Sequence, residues 1–422
     1  MSVLNEVSGS SCWVGDGGVS KLRFAVGAVF LGWSLSCPAQ IDSPSWRDGD
    51  CDSSGLNATL LEIMRFNGTI NHPELASVHN SLGFRSCDDR SAGESIDPFC
   101  DAVGLILEGD WAAATGVLKK SEHDLDLEGS LLYASLCLEY EGCSAREGAE
   151  RLSQLASQGS EIAQYAVGYL ALECRNLVEL EDDQILEFLN ESSSAGFAPS
   201  QVALALIYFY GLLGQDEDPA RSWREIASAV DQDFALGHHV AGQMHFDEGR
   251  LEHAIQEFST SVSLGLEISK FYLALVYWEL AEDGKEDFAV RALSLAEEAL
   301  EYGAREAGVI LGLAHAIGLG VPLSRSRARR FFEGAIGTGA GRAEYFLAMM
   351  YQTGSGVEKN RELACRLHEQ AFAQGNQASA YPLGLCLLLR EELERGYGVL
   401  MKAAAQGDES SAQFLEEFPP EN

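Results

Sequence analysis

Basic residues are scarce in this chain. Its 422 residues include 29 Lys and Arg against 64 Asp and Glu, and the formal net charge at pH 7 is -35. A surface this acidic repels phosphate groups. The composition therefore excludes nucleic acid and anionic membrane surfaces as general partners.

Sequence signatures of catalysis and metal binding are also missing. The chain has no G-x-S-x-G motif, no H-E-x-x-H motif and no Cys or His spacing typical of a zinc site. No recognisable motif places a His beside a Ser or a Cys. The sequence therefore predicts no enzyme activity, no catalytic residue, no cofactor and no bound metal.

One apolar run stands out, near the N-terminus. The segment KLRFAVGAVFLGWSLSCPAQ has two basic residues, an apolar run over residues 24–35 and a small-residue end. These three parts are typical of a secretory signal peptide, and the run is too short to span a bilayer well. We interpret residues 1–39 as a signal peptide cleaved between Ala39 and Gln40.

The acidic residues before this run are unusual for a signal peptide. One hypothesis is that residues 1–18 are an over-extended start and that the true start is Val19, read from a bacterial GTG codon. Lipidation of Cys37 after export is an alternative. No stable membrane span is expected after signal removal.

Removal of residues 1–39 leaves eight cysteines, an even number that suits disulfides in an oxidising compartment. They are Cys51, Cys87, Cys100, Cys137, Cys143, Cys174, Cys365 and Cys386. Eight buried free thiols in a cytosolic protein are the alternative. The cysteine content agrees with export to a bacterial periplasm or to the cell exterior.

A repeat runs through most of the chain. A helix-ending residue is followed nine positions later by a small residue in seven pairs, which are Gly159 and Gly168, Gly196 and Ala205, Asp233 and Gly242, Gly265 and Ala274, Gly303 and Gly312, Gly339 and Ala348, and Gly375 and Gly384. Successive small residues lie 32 to 38 positions apart. This interval is typical of a solenoid.

Each unit predicts a helical hairpin. In its first helix, helix A, the small residue allows a neighbouring helix to approach closely, and a bulky residue such as Tyr351 follows three positions later. A glycine turn follows, as at Gly354, and a capping residue such as Asn360 opens the second helix, helix B. Glycine ends helix B, because a left-handed cap costs glycine least.

No hairpin of this kind can bury its apolar face alone, so stacked neighbours must form the core. We predict an all-α, right-handed α-solenoid of about nine hairpins over residues 98–407, with the first two weakly matched. Residues 408–422 are predicted to form a capping helix and tail. Residues 40–97 are rich in Asp, Ser, Gly and Asn and predict a loop-rich N-terminal region with one helix near residues 56–65.

The unit at residues 343–375 carries the most regular set of residues, Ala343, Tyr345, Leu347, Ala348, Tyr351, Gly354, Gly356, Val357, Asn360, Ala364, Ala371 and Gly375. In these residues the chain resembles the Sel-one-like repeat family, a variant of the tetratricopeptide repeat. Ala348 and Asn360 replace the family's Gly and Asp, and the units between 228 and 302 lack its glycine turn. The resemblance implies an α-solenoid that acts mainly as a protein-binding scaffold.

Three histidines, His238, His239 and His245, lie near Asp247 and Glu248. Such a group suggests a metal site. His245, however, takes the repeat position that tyrosine holds in other units. We therefore interpret its ring as a packing group.

Four cysteines can be placed within the repeats. Cys143 and Cys174 lie at the ends of helix A in successive units, and Cys365 lies on helix B just before the helix A that carries Cys386. Packed helices lie roughly 8–10 Å apart, so side-chain bridges between neighbours are feasible. We predict the disulfides Cys143–Cys174 and Cys365–Cys386.

The segment SRSRARRFF, residues 324–332, is a basic cluster in an acidic chain. Arg327 is the family's usual basic position, whereas Arg325, Arg329 and Arg330 are additional. Cations near a helix N-terminus oppose the macrodipole. Two hypotheses remain, a solvated face paired with acidic neighbours or a contact for an acidic partner segment or an anionic polymer.

The function predicted from these features is an exported, non-catalytic scaffold that binds a partner protein or peptide in a concave groove lined by A helices. Sequons at Asn57, Asn67 and Asn190 favour a eukaryotic secretory protein and keep open a luminal quality-control adaptor of the endoplasmic reticulum. A further alternative, suggested by the family, is a repeat protein that binds or hydrolyses a cell-wall or β-lactam-like ligand.

Overall fold

The computed structural model describes residues 98–107, 110–139, 143–173, 177–282 and 287–420. Within these ranges the chain forms α-helices, short 3-10 helices, turns and loops, and no β-strand. The predicted signal peptide, its cleavage site at Ala39 and Gln40 and the loop-rich region 40–97 lie outside the described residues.

Nineteen α-helices follow one another in the described ranges. They are α1 (Pro98–Leu107), α2 (Trp111–Lys120), α3 (Leu127–Glu139), α4 (Ala145–Ser157), α5 (Glu161–Glu173), α6 (Asp182–Ser194), α7 (Ala198–Tyr210), α8 (Pro219–Val230), α9 (Ala235–Asp247), α10 (Leu251–Ser263), α11 (Ser269–Glu282), α12 (Asp287–Tyr302), α13 (Ala307–Ile317), α14 (Arg325–Gly334), α15 (Arg342–Thr353), α16 (Arg361–Ala373), α17 (Ala380–Leu389), α18 (Leu393–Ala405) and α19 (Glu409–Glu417).

The helices form nine hairpins and one final helix. Odd-numbered helices up to α17 are the A helices and even-numbered helices are the B helices, and each helix packs against its neighbours in sequence. Successive A helices also touch, as in the pairs α7–α9, α9–α11 and α11–α13. The A helices therefore form the inner layer of the stack. The predicted all-α solenoid of hairpins with a terminal helix is confirmed.

Small residues on the A helices allow close contact with the B helix of the same hairpin. A Cβ atom at Gly312 would lie 2.4 Å from a ring carbon of Phe332, and one at Gly384 would lie 2.5 Å from Leu400 Cγ. No side chain fits in these gaps without moving the partner. The periodic small residues in the sequence therefore mark the contact between the two helices of each hairpin.

One predicted helix end is displaced. The repeat places the end of the seventh B helix at Gly339, but α14 ends at Gly334. A turn follows, with positive φ at Ala340 and Gly341. A Cβ atom at Gly341 would lie 2.6 Å from the Ala371 carbonyl oxygen. The turn thus packs against α16 rather than extending α14.

The core has no single centre. Buried side chains form three groups, over residues 99–137, 131–244 and 254–367, and the groups follow the order of the hairpins. This division is expected where each hairpin contacts mainly its neighbours. Among the described helices, none is long and apolar enough to cross a membrane.

Candidate functional site

The inner face of the stack offers few accessible side chains in the central hairpins. In α7, all residues from Ala198 to Tyr208 are buried. In α13, all residues from Ala307 to His315 are buried. A groove lined by A-helix side chains, as predicted from the sequence, therefore has little surface at these two helices. Turns and B helices form the accessible surface there.

A cleft of about 500 Å³ opens at the edge of the stack, between the seventh and eighth hairpins. It is lined by Arg329 from α14, Tyr351 from α15, Val357, Glu358 and Lys359 from the turn, and Asn360 and Leu363 at the start of α16. The cleft thus combines two cations, one carboxylate and three apolar or aromatic side chains. The glycine turn between α15 and α16 supplies one of its walls.

The turn between α15 and α16 has the shape that its two glycines permit. Gly354 ends α15 with a φ of 80°, and Gly356 has a φ of 73°. Asn360 then caps α16, since its side-chain oxygen accepts a hydrogen bond from the Leu363 amide at 3.0 Å. These local features fix the position of Glu358 and Lys359 at the mouth of the cleft.

The four arginines predicted to contact a partner divide into two pairs. Arg329 lines the cleft, and Arg325 lies against Gly356 in the adjacent turn. Arg327 and Arg330 are exposed on α14 and do not line the cleft. The Nε atom of Arg329 lies 3.5 Å from Glu333 Oε1, and 40% of the arginine side chain is exposed. Arg329 is therefore only partly neutralised by its own helix.

Three hairpins match a known family model. The model, described as Sel1 repeat, matches residues 198–227, 309–336 and 341–376, which correspond to the fourth, seventh and eighth hairpins. The chain contains Sel1 repeats. The cleft lies between the two matched hairpins that are adjacent in the stack, so two Sel1 repeats form its walls.

Solved structures are similar to this chain at low identity. A Sel1 repeat protein from Oxalobacter formigenes is 21% identical, with 80% of this chain and 98% of that chain covered and a TM-score of 0.48. The c5321 antigen of uropathogenic Escherichia coli, which displays an SLR fold, is 16% identical, with 96% and 95% covered and a TM-score of 0.42. No curated protein matches the chain.

The Sel1 junction at the cleft differs from the junctions on either side. Leu293 and Cys365 lie 36 residues before and after Arg329, at the same repeat position. Leu293 is 7% exposed and packs against the turn of the seventh hairpin at Gly320. Cys365 forms a disulfide with Cys386 of the ninth hairpin. Of these three residues Arg329 alone is charged, and it lines the cleft.

The charged cleft residues also replace apolar ones of the preceding repeat. Glu358 and Lys359 correspond to Pro322 and Leu323, 36 residues earlier. Sequence reasoning singled out Arg329 but missed Lys359, Glu358 and Leu363 as parts of one site. Comparing successive Sel1 repeats residue by residue would have shown the change from apolar to charged.

The disulfides of the described residues differ in part from those predicted. The structure has a disulfide between Cys365 and Cys386, as the repeat positions predict. Cys143, however, is bonded to Cys137, six residues earlier, so the predicted pairing with Cys174 is wrong. Cys137 lies in the last turn of α3 and Cys143 lies two residues before α4, so the two cysteines are only six positions apart. Cys100 is disulfide-bonded as well, and Cys174 lies outside the described residues.

The histidines of α9 are packed among aromatic rings and polar partners. The His245 ring centre lies 4.6 Å from that of Trp223 and 5.0 Å from that of His253. The Nδ1 atom of His238 lies 2.7 Å from Glu257 Oε2. Burial lowers the pKa of His245 to about 4. In the described part of the chain, no group of three or more His, Cys, Asp or Glu side chains is arranged to hold a metal ion.

Two carboxyl groups are buried away from the cleft. Burial raises the pKa of Asp247 to about 6. The hydrogen bond that its carboxylate accepts from Tyr210 at 3.4 Å acts in the opposite direction and lowers this pKa. Burial also raises the pKa of Glu306 to about 7, although the nearby Arg305 lowers it. These groups lie in separate hairpins, so they do not form an acid and base pair.

The third predicted sequon is held within the stack. Asn190 lies on α6, where its Nδ2 atom donates to the Leu186 carbonyl at 2.6 Å and its Oδ1 atom accepts from Arg221 at 2.8 Å. A glycan on Nδ2 would have to displace the first of these contacts. The other two sequons, at Asn57 and Asn67, lie outside the described residues.

Proposed function

We propose that this Sel1-repeat protein is an exported, non-catalytic scaffold that binds a partner protein or peptide. The carrying observation is the open, charged junction between two stacked Sel1 repeats, which presents a recessed surface on an otherwise closely packed array. Stacked repeats of this kind typically supply extended binding surfaces rather than enclosed reaction sites. The proposal places the partner at the edge cleft rather than on the buried inner helices.

Support for export comes from the cysteines. The disulfides Cys137–Cys143 and Cys365–Cys386 would be reduced in most cytosolic environments. Thiol alkylation of denatured protein, before and after reduction, tests this part. An exported protein gives no alkylation at these four cysteines before reduction, and a cytosolic protein gives full alkylation.

Site-specific photo-crosslinking in the cells that make the protein tests the scaffold role. A photoreactive residue at Lys359, in the cleft, is compared with one at Glu301, which is exposed on α12. A discrete protein adduct at Lys359 and none at Glu301 supports the proposal. No adduct at Lys359, or equal adducts at both positions, contradicts it.

A further inference from the structure

The arginine in the cleft is not required for stacking. One repeat earlier the same position is a buried leucine, Leu293, and one repeat later it is a cysteine bonded to the next hairpin. Both alternatives make a contact with the following hairpin, Leu293 with the turn at Gly320 and Cys365 with Cys386. Arg329 leaves a cleft of about 500 Å³ and a partly exposed cation at the same place. A residue that forgoes a stabilising contact in this way suits binding better than packing.

The cations around the cleft have few partners inside the protein. Eight of the 29 basic residues lie in residues 324–366, which contain only four acidic residues. Arg325, Arg327, Arg330 and Lys359 make no ion pair with the described residues, and Arg329 has only Glu333, at 3.5 Å. Other cations are paired, as Lys270 is with Glu267 and Glu298. The face beside the cleft is thus a local positive surface on a molecule of charge -35.

The walls of the cleft add an apolar requirement. Val357 and Leu363 lie beside Arg329 and Lys359, and Tyr351 completes the wall. The two cations outnumber the one carboxylate of the lining, Glu358, so a ligand that fills the cleft is expected to bring a carboxylate for the cations and an apolar group for these side chains. A peptide segment with acidic and apolar residues has both, whereas a uniformly charged polymer has only the first. The volume falls within the usual range for small-ligand pockets and suits a few peptide residues.

We infer that the cleft binds an acidic peptide segment of the partner, with a carboxylate between Arg329 and Lys359 and an apolar side chain against Val357 and Leu363. This inference deepens the proposed scaffold function and rests on it. Arg325 lies beside the cleft at Gly356 and favours a second carboxylate on the same segment. Bidentate pairing with a carboxylate is the usual role of such an arginine.

Fluorescence anisotropy with the full chain tests the inference. The probe is a short fluorescein-labelled peptide in which glutamates flank a central leucine. The test variants are Arg329→Leu and Lys359→Leu, which restore the apolar residues of the preceding repeat. The control is Arg330→Ala, an exposed cation on the same helix outside the cleft. Each test variant is expected to weaken binding about tenfold, because a charge-assisted hydrogen bond is lost. The control is expected to change binding by no more than about twofold.

Folding is checked on the same samples. Arg329→Leu is expected to keep or raise the melting temperature, since Leu293 shows that leucine packs at this position. A weakened affinity with an unchanged fold supports the inference. Failure of wild-type protein to bind the peptide, or an equal loss with Arg330→Ala, overturns it. Binding of heparin without binding of the peptide also overturns it.

The two proposals fail separately. If the peptide does not bind but the Lys359 crosslink to a protein persists, the acidic-peptide inference is wrong and the scaffold proposal stands. If the crosslink is absent and the peptide's affinity falls with Arg330→Ala but not with Arg329→Leu or Lys359→Leu, both proposals are wrong. Replacement of the peptide's leucine by serine tests the apolar wall, and an affinity unchanged by that replacement contradicts the role of Val357 and Leu363.

Discussion

Gly356 lies so close to Arg325 that a Cβ atom on the glycine would be 2.4 Å from the Cβ atom of the arginine. This contact joins the turn of the eighth hairpin to the first turn of α14. It positions the wall of the cleft against the helix that carries Arg329. The same contact in the preceding repeat joins Gly320 to Ala289, where a Cβ atom would lie at 3.0 Å.

Gly356→Ala is expected to destabilise the protein by about 1–3 kcal/mol, because it introduces this overlap at a residue with a φ of 73°. Gly398→Ala is the matched control. Gly398 is exposed on α18, and a Cβ atom there would meet nothing within 4 Å. The control should be more stable than wild type by about 0.5–1 kcal/mol, because alanine has a higher helix propensity than glycine. Urea unfolding of both variants measures the difference, and equal effects would contradict the packing described for the turn.

Loss of the disulfide between α16 and α17 should destabilise the last hairpins. Cys365 and Cys386 are 21 residues apart, and the pair Cys137 and Cys143 are six apart. Since a larger loop loses more unfolded-state entropy when closed, Cys365→Ala with Cys386→Ala should cost about 3 kcal/mol and the shorter pair about 2 kcal/mol. Denaturant unfolding under non-reducing conditions compares them. A smaller contribution from the 21-residue pair than from the six-residue pair would contradict this expectation.

Glu306 should make the protein less stable as the pH rises. Its pKa is about 7 in the folded state because of burial, above its ordinary value of 4.5. The unfolded state therefore loses its proton first, and stability is lost as the pH rises from about 4.5 through 7. The free energy of unfolding of wild-type protein should fall by about 2–3 kcal/mol more between pH 5 and 8 than that of Glu306→Gln. Thermal unfolding at both pH values, with exposed Glu301→Gln as control, checks this.

His239 should have the opposite effect at acid pH. Its ring is buried on α9, with Nδ1 2.8 Å from Ser269 Oγ, and burial lowers its pKa from 6.5 to about 3. The unfolded state binds the proton first, so stability is lost as the pH falls from about 6.5. Between pH 6.5 and 4.5 the free energy of unfolding should fall by about 2 kcal/mol less in His239→Gln than in the wild-type protein. An unchanged slope, equal to that of exposed His123→Gln, would show that His239 does not control acid stability.

The fold could be predicted because its determinants repeat. The interval between helix-ending residues and small residues set the period, and Gly312 and Gly384 do contact the next helix as that period requires. The end of α14 was missed, since the turn at Gly341 depends on a contact with Ala371 of another hairpin. Local spacing predicts a helix end, but only neighbouring hairpins determine where the chain must turn.

The candidate site was only partly predictable. Arg329 stands out in the sequence as a cation in an acidic chain. The cleft beside it, however, depends on the absence of a buried apolar side chain such as that of Leu293, which holds the same position one repeat earlier. The pairing of Cys143 failed for a related reason. Its position suggested a bridge between hairpins, whereas Cys137 reaches it within one hairpin. Sequence position gives the helix and its register, but not which cysteine a given cysteine is bonded to.

Hydrogen exchange of the full chain, with and without the acidic peptide, is the most direct measurement of where a partner binds. Slower exchange is expected at residues 354–360, the turn that carries the lining residues 357–360, and at the start of α14, where Arg325 lies beside the cleft. Residues of α7 and α13, which are already buried, should not change. Protection confined to A helices, or no protection at residues 354–360 under saturating peptide, would contradict the account.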